Sequence, residues 1–542
     1  MAVSVSGDAL GKAIVRREQE ARTSDERQAL DSFWDLIYRY TLPRRAIFQD
    51  EDQHGVRKDR YVLDSTAPRA LELFASFLHS NLNNPALQWI LVDIEDGQEL
   101  TVDERKWLDA ATKRLQRRLV TTTSIYSDLH EIYMDLGAGG TGTLLVEKTK
   151  NGSIRSSAFH MRDVVVEEGS DREIDVVYRQ EKWSKRVALQ RFPGLDLGKS
   201  FGQGKDKKGR FLHSVFPMTD EDILSKVDKR ERDRLKLQKA KTFGVWVNAD
   251  QEKTIEAGGF FDMPYAASRW YKVQGATYGR SPAMTVIGDI LMVNRMSETT
   301  LKAAEKLVDP PMLMHDGGLM SPVRMFPGGI TYTDGPVEPR FLVPPGASRI
   351  ELSGALIEQR QTAIREGFFV PLFMDQNGPV KTATQYLGEQ DERNRAVGPM
   401  LVRMHHEFFD RWVPRSFRIL NDQGEFGPMP ESLARKAHLL KFKYLSPITN
   451  SVAQSDGLNV ARLFEGLAPW YQIDDGAFDS INIDQAAKVI LNASGAPKAV
   501  ERNEAEIKKV RDQRLARAQA AEAQAGAISA VEAGAKLISA NK

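Results

Sequence analysis

The chain contains no cysteine in 542 residues. That excludes a disulfide framework, a zinc–thiolate centre and a cysteine nucleophile, and it fits work or assembly in a reducing compartment. Charge of one sign is also lacking: 75 Lys and Arg stand against 74 Asp and Glu, a formal net charge of +1. A globally basic, histone-like or coat-like nucleic-acid binder is thereby excluded, and any DNA contact has to be local or transient. No apolar run approaches the roughly 18 residues of a membrane-spanning helix. The N-terminus, Met-Ala-Val-Ser-Val-Ser-Gly-Asp, has no basic region followed by an apolar one, so no export signal and no membrane association are expected. What remains is an ordinary charged share of 27% and a hydrophobic share of 41% in a chain too long for one core. About two to four domains are the expectation.

The first 280 residues read as an α+β body. One helix is expected over about 8–40, with Leu30, Phe33, Trp34 and Ile37 on one face and Thr41-Leu42-Pro43 as its stop. Asp64-Ser65-Thr66-Ala67-Pro68 opens a second helix through Leu71, Phe74, Leu78 and Leu82, closed by Asn83-Asn84-Pro85. Gln88 to Val92 reads as a short strand, and Thr101-Val102-Asp103-Glu104 as a capping box opening a long helix to about Thr121. From 143 to 190 the period shortens toward two, with strands at Thr143–Val146, Val164–Val166 and Asp175–Tyr178. Residues 194–216 read as a Gly/Lys-rich loop and 220–241 as one charged helix capped by Thr219. Strands resume at Phe243–Val247 and around Phe260-Phe261.

The character changes at Ser281-Pro282, an N-cap followed by proline at the first helical position. About 26 helical residues at 1.5 Å each make a rod of roughly 40 Å before Asp309-Pro310-Pro311. A Pro/Gly-rich, strand-like stretch follows. Ser348-Arg349-Ile350-Glu351 then caps a second helix to Glu366-Gly367. Two long helices flanking about 40 residues predict a helical hairpin with a small subdomain at its tip. Phe368 to Pro379 is a breaker-rich loop, longer than an ordinary helix connection and so a candidate functional loop. Thr382-Ala383-Thr384-Gln385 starts another long helix, with Val397, Leu401, Met404, Phe408 and Trp412 on one face and a kink expected at Gly398-Pro399. Past about 480, helices continue into an Ala-rich stretch over 515–538.

Three motifs resemble chemical sites and fail on context. Gly137-Ala138-Gly139-Gly140-Thr141-Gly142 lies after a helix and before a strand. A dinucleotide loop needs the reverse order, so the reading is a helix-to-strand turn. Gly194-Leu195-Asp196-Leu197-Gly198-Lys199-Ser200 is one residue short of a P-loop and has no helix after it. His405-His406-Glu407 puts neighbouring imidazoles about 100° apart on a helix, where they do not chelate together. The basic excess over 199–241 (Lys205, Lys207, Lys208, Arg210, Lys226, Lys229, Arg230, Arg232, Arg234) is interspersed with acids and reads as a solvated face. No catalytic residue, metal site or cofactor is expected.

Four stretches together resemble the portal, or head-to-tail connector, proteins of short-tailed bacteriophages (podoviruses). They are Trp34-Asp35-Leu36-Ile37-Tyr38-Arg39-Tyr40-Thr41-Leu42-Pro43-Arg44; Asp64-Ser65-Thr66-Ala67-Pro68-Arg69-Ala70 with Asn84-Pro85 and Trp89; Gly137 to Val146; and Lys381-Thr382-Ala383-Thr384-Gln385-Tyr386-Leu387 with Glu392-Arg393 and Gly398-Pro399. The resemblance implies an α+β, predominantly helical, elongated subunit, normally assembled as a dodecameric ring at one capsid vertex of the virion. It implies a wing (1–280 and 381–480), a stem (281–308 and 349–367), a clip (309–348), a tunnel loop (368–380) and a helical crown or barrel (481–542).

The implied function is a channel for double-stranded DNA during packaging, retention and ejection. The implied partners are the terminase packaging motor, then a tail adaptor, with major capsid and scaffold proteins, all assembled in the bacterial cytoplasm. Candidate channel residues are Arg360, Arg365, Gln376, Asn377 and Lys381. Candidate clip docking residues are Met312, Met314, Met325 and Tyr332. Near-neutral charge suits such a conduit, because every neutralised phosphate adds counterion-release affinity and would make DNA stick. The alternatives are an ATP-driven packaging enzyme, which lacks its P-loop here, and an internal virion structural protein.

Overall fold

The computed structural model describes residues 8–46, 57–95, 100–149, 152–196, 208–309, 312–315, 324, 326–333, 340–341, 350–373, 398–445, 457, 459–467, 481–493 and 507–520. The chain divides into two compact units, one of residues 1–87 and 118–423, the other of 88–117 and 424–542.

The first unit opens with two helices, α1 (Asp8–Arg22) and α2 (Asp25–Thr41), where a single one was expected. Ser24 interrupts them, since its side chain accepts from the Arg27 amide and so caps a new helix. α3 (Thr66–Leu82) follows as expected, with Ala67, Ala70, Leu71, Phe74, Ala75, Leu78 and Leu82 on its buried face.

In the second unit, β1 (Ile90–Ile94) pairs antiparallel with β13 (Leu440–Tyr444), and Trp89 stacks near Tyr444. The helix α4 (Val102–Thr122) begins with the predicted capping box: Thr101 N–H donates to Glu104 Oε2 at 2.8 Å, and Glu104 N–H to Thr101 Oγ1 at 3.3 Å. A helix over Ile483–Ala493 carries Asp484, which pairs with Arg511 at 2.6 Å. The described Ala-rich residues 516–520 are exposed on a helix.

In the first unit, α5 (Ile125–Gly139) runs straight into β2 (Thr141–Lys148). β2 lies between β3 (Ile154–Phe159) and β9 (Tyr265–Arg269), antiparallel to both. A five-stranded antiparallel meander runs through β4 (Val164–Glu168), β5 (Ile174–Trp183), β6 (Gly209–Pro217), β7 (Thr242–Asn248) and β8 (Lys253–Phe260). β6 corrects the expected loop over 194–216. Residues 211–216 are all buried, so the strand shows no in–out alternation and its sequence hides it. The single charged helix expected over 220–241 is likewise two helices, α7 (Glu221–Leu224) and α8 (Lys229–Leu237), with Asp220 and Asp228 at their N-caps in place of Thr219.

Leu10, Ile14 and Val15 of α1 pack on the meander against Val165, Tyr178, Leu212, Phe216, Val245 and Val247. Full burial of each such side chain contributes about 1.5–3 kcal/mol. A smaller aromatic cluster unites Phe192, Phe211 and Trp246 with Trp183, and α6 (Lys185–Arg191) adds Ala188 to it. The outer edge at β4 is plugged by side chains. Buried Arg27 donates to Val164 O at 3.0 Å and Met161 O at 2.5 Å, while the Tyr278 hydroxyl accepts from Val166 N–H at 3.3 Å.

Later in the chain come α9 (Pro282–Val308), β10 (Met312–His315), β11 (Ile330–Thr333), β12 (Arg340–Phe341), α10 (Ile350–Gly367) and the one-turn α11 (Val370–Phe373). The long helix expected from Thr382 is described from Gly398, where Gly398 and Pro399 are its first described residues; the cap expected at Thr382 and the residues before Gly398 lie outside the described residues. Its observed irregularities are a π-helical segment, His405–Phe409, and Pro414 inside α12 (Asp410–Asn421). Arg269 holds the wide turn. Its Nε and Nη2 grip both carboxylate oxygens of Glu407 at 3.1 and 2.8 Å, while Nη1 donates to Glu168 at 3.0 Å. Buried polar groups survive in this way, by pairing.

Candidate functional site

The site is built from α9, α10 and the small sheet between them. α9 is rooted by its first residues. Buried Ser281 Oγ accepts from Met284 N–H at 3.1 Å and donates to Ala138 O at 2.7 Å, tying the helix to the end of α5. Ala283, Val286, Ile290 and Val293 are buried, and so is Asn294. The Asn294 amide oxygen accepts from the backbone of Leu63 at 2.8 Å and Asp64 at 3.1 Å, and its nitrogen donates to Ile290 O. From Arg295 onward α9 has no fully buried residue.

The turn beneath this root explains the glycine cluster. Gly140 ends α5 at φ +82°, and a Cβ there would sit 2.6 Å from Gly279 O. The Gly137–Gly142 stretch is therefore a packing turn, as read from its helix-before-strand order. Nearby, Asp135 is fully buried between the Tyr38 hydroxyl at 3.1 Å and Arg45 at 2.5 Å. Burial pushes its carboxyl up to about 6 despite the opposing pull of Arg45.

α10 returns antiparallel along α9 in one register. Gly367 meets Val286 so closely that a Cβ would lie 2.2 Å from Val286 Cγ1. Arg360 pairs with Asp289 at 3.1 Å, and the hydroxyls of Thr300 and Ser353 are 2.8 Å apart. Gln361 also reaches Asp64 at 2.7 Å. Between the helices, β10 pairs parallel with β11 and antiparallel with β12. Asp309 O, at the end of α9, accepts from Gly328 N–H at 3.1 Å. After α10, Phe368 is buried edge-on to Phe74, and Phe369 takes a left-handed φ of +61° beside Trp270.

Of the candidate channel residues, Arg360 is engaged with Asp289 within the helix pair, and Arg365 is half-buried one turn and a residue further on. Gln376, Asn377 and Lys381 lie outside the described residues. Of the docking candidates, Met312 and Met314 fall on β10, opposite Ile330 and Tyr332 of β11. Met325 lies outside the described residues. Sequence reasoning missed Asp289 and Asn294. An Asn inside an apolar stripe was the available signal for the second.

His406 is exposed beside Asp410, and burial lowers His405 to about 4. Among the described residues no group of three or more His, Asp or Glu is placed to hold a metal. No helix among them is long and apolar enough to cross a membrane.

Comparison with known proteins gives the class. Residues 16–500 match the family described as bacteriophage head to tail connecting protein, and the chain belongs to that family. Among its relatives, the portal protein of Salmonella phage epsilon15 is 23% identical, covering 96% of this chain and 94% of its own. The probable portal protein of Bordetella phage BPP-1 is 25% identical, covering 78% and 76%. Among solved structures, a chain from the neck of an empty gene transfer agent particle is 12% identical with a TM-score of 0.37, covering 77% of this chain and 90% of its own.

Proposed function

We propose that this chain is the subunit of a portal: a ring, of twelve copies by family habit, surrounding the path of double-stranded DNA at one vertex of a phage capsid. The observation that carries the reading is the family match over residues 16–500, reinforced by similarity to two proteins named as portals over most of their lengths. The helix pair α9–α10 acts as the stem, the three-stranded sheet as the clip that meets the packaging motor and later the tail adaptor, and 368–380 as the loop facing DNA. Arg360, Arg365, Gln376, Asn377 and Lys381 line the channel, and Met312, Met314, Met325 and Tyr332 serve the docking end. Mixed charge along α10 keeps the wall from binding phosphates firmly, as passage of a genome requires. Capsid and scaffold proteins surround the ring, and assembly proceeds in the bacterial cytoplasm.

Electron microscopy of the purified chain tests this directly. Rings with a central hole of duplex width are expected; monomers or filaments alone would sink the proposal, because a head-to-tail contact has to close. Hydrolysis of ATP by the purified chain would favour the motor reading instead. Deleting 371–379 is expected to spare rings while impairing DNA packaging or retention, and loss of rings would make that segment a packing element.

A further inference from the structure

α9 carries a second row of side chains besides the one that meets α10. Thr285, Gly288, Met292, Arg295, Thr299 and Lys302 recur at alternating steps of three and four, so they share one helix face, and all of them are exposed. Val286, Asp289 and Thr300, which meet α10, lie on a different face. Gly288 is the unusual member. Glycine weakens a helix interior, and a Cβ at this position would meet nothing within 4 Å. No packing among the described residues calls for the missing side chain, whereas the close approach of a second body would.

The outer face of α10 has the opposite charge. Ala355, Glu358, Thr362 and Glu366 are exposed along it. Among the described residues Glu358 and Glu366 have no ion-pair partner. Arg360 is drawn back to Asp289 at 3.1 Å, and Arg365 is half-buried, so this face stays net anionic. On α9, Arg295 and Lys302 share the single carboxylate of Glu298, at 3.3 and 2.5 Å, and Glu305 lies off the row. That face is therefore left net cationic, and exposed pairs of this kind are weak enough to exchange partners.

We propose that the Thr285–Lys302 face of α9 in one copy seats on the outer face of α10 in the next copy, with Arg295 opposite Glu358 and Gly288 admitting the neighbouring helix between Thr362 and Glu366. Two faces of opposite charge on one helix pair suit head-to-tail association, since a two-fold contact of either face with itself would set like charge against like. The heights agree as well. Gly367 meets Val286 and Ser353 meets Thr300, the same number of residues apart on each helix. Arg295 and Glu358 lie equally far from Thr300 and Ser353, and rotation about a ring axis along the stem preserves height. The inference rests on the ring and stem reading above and adds which faces meet and through which pair.

The test uses the full chain at low ionic strength, read by sedimentation velocity and electron microscopy. Arg295→Glu and Glu358→Arg are each expected to raise the concentration for half-assembly by about tenfold or more, because like charges then face each other. The double reversal is expected to restore assembly. Gly288→Leu is expected to block rings while the Tm of the dilute, unassembled chain stays level or rises, since leucine is the better helix former. Single reversals that assemble like the parent, a double variant no better than either single, or rings in Gly288→Leu would overturn the proposed contact and leave the ring reading standing. A parent chain that forms no rings brings down the portal reading, and this contact with it.

Discussion

The two halves of α9 obey different physics. From Pro282 to Asn294 the helix is set into the first unit by a buried cap, four buried apolar side chains and an asparagine that satisfies two backbone donors. From Arg295 to Val308 it touches its own unit chiefly through α10, and Leu301 and Val308 are 55% and 87% exposed. The root is specified by the fold of one chain. The distal half leaves these apolar side chains uncovered by its own chain. A single helix thus passes from a buried root to an exposed shaft within a few turns.

The strongest way to break this contrast is to disturb the root. Gly140→Val combines a left-handed φ with a clash against Gly279 O, and is expected to cost about 4 kcal/mol or more. The readout is loss of soluble chain or a large fall in Tm, and a mild effect would mean that the root is pliable.

Asp135, one turn before this bend, gives a pH signature. Its folded value of about 6 lies above the ordinary 3.8, so its contribution is fully present below about pH 4 and is lost as pH rises through about 6. The total is about 3 kcal/mol. Denaturant titrations from pH 4 to 6.5 should show stability falling by that component in the parent and a flattened profile in Asp135→Asn; parallel profiles would count against it.

Asn294→Leu strands the Leu63 and Asp64 amides and is expected to cost about 2 kcal/mol in chemical denaturation. At the far end, Leu301→Ser should change the stability of the isolated chain by less than about 0.5 kcal/mol. The same variant should reduce assembly measured by light scattering. A stability loss equal to that of Asn294→Leu would erase the distinction between the halves.

Much of this architecture is written in short-range chemistry. Ser281-Pro282 and Asp309-Pro310 bracket α9, Asn83 closes α3, and Thr101 with Glu104 makes the reciprocal cap that their spacing implies. Other features depend on partners distant in sequence. β6 is buried throughout, so it lacks the period-two pattern that identifies a strand with one wet face. The break at Ser24 was legible as a cap followed by Asp25 and Glu26, but helical spacing continues across it. The π segment depends on Arg269, more than a hundred residues upstream of Glu407, and no local motif announces it. The helix pair was readable as a hairpin, whereas its register through Asp289, Arg360, Thr300 and Ser353 was not, because polar pairs across helices have no sequence period.

The plug on β4 has a consequence for crowded chains. A sheet edge with open amides and carbonyls invites another strand, and copies held side by side raise that risk through their effective concentration. Arg27 and Tyr278 occupy the Val164 carbonyl and the Val166 amide within the same chain. At Val164 and Val166 that border of the meander is therefore closed to strand exchange. Part of the protection against edge-to-edge pairing is thus built into each molecule before it meets a second one.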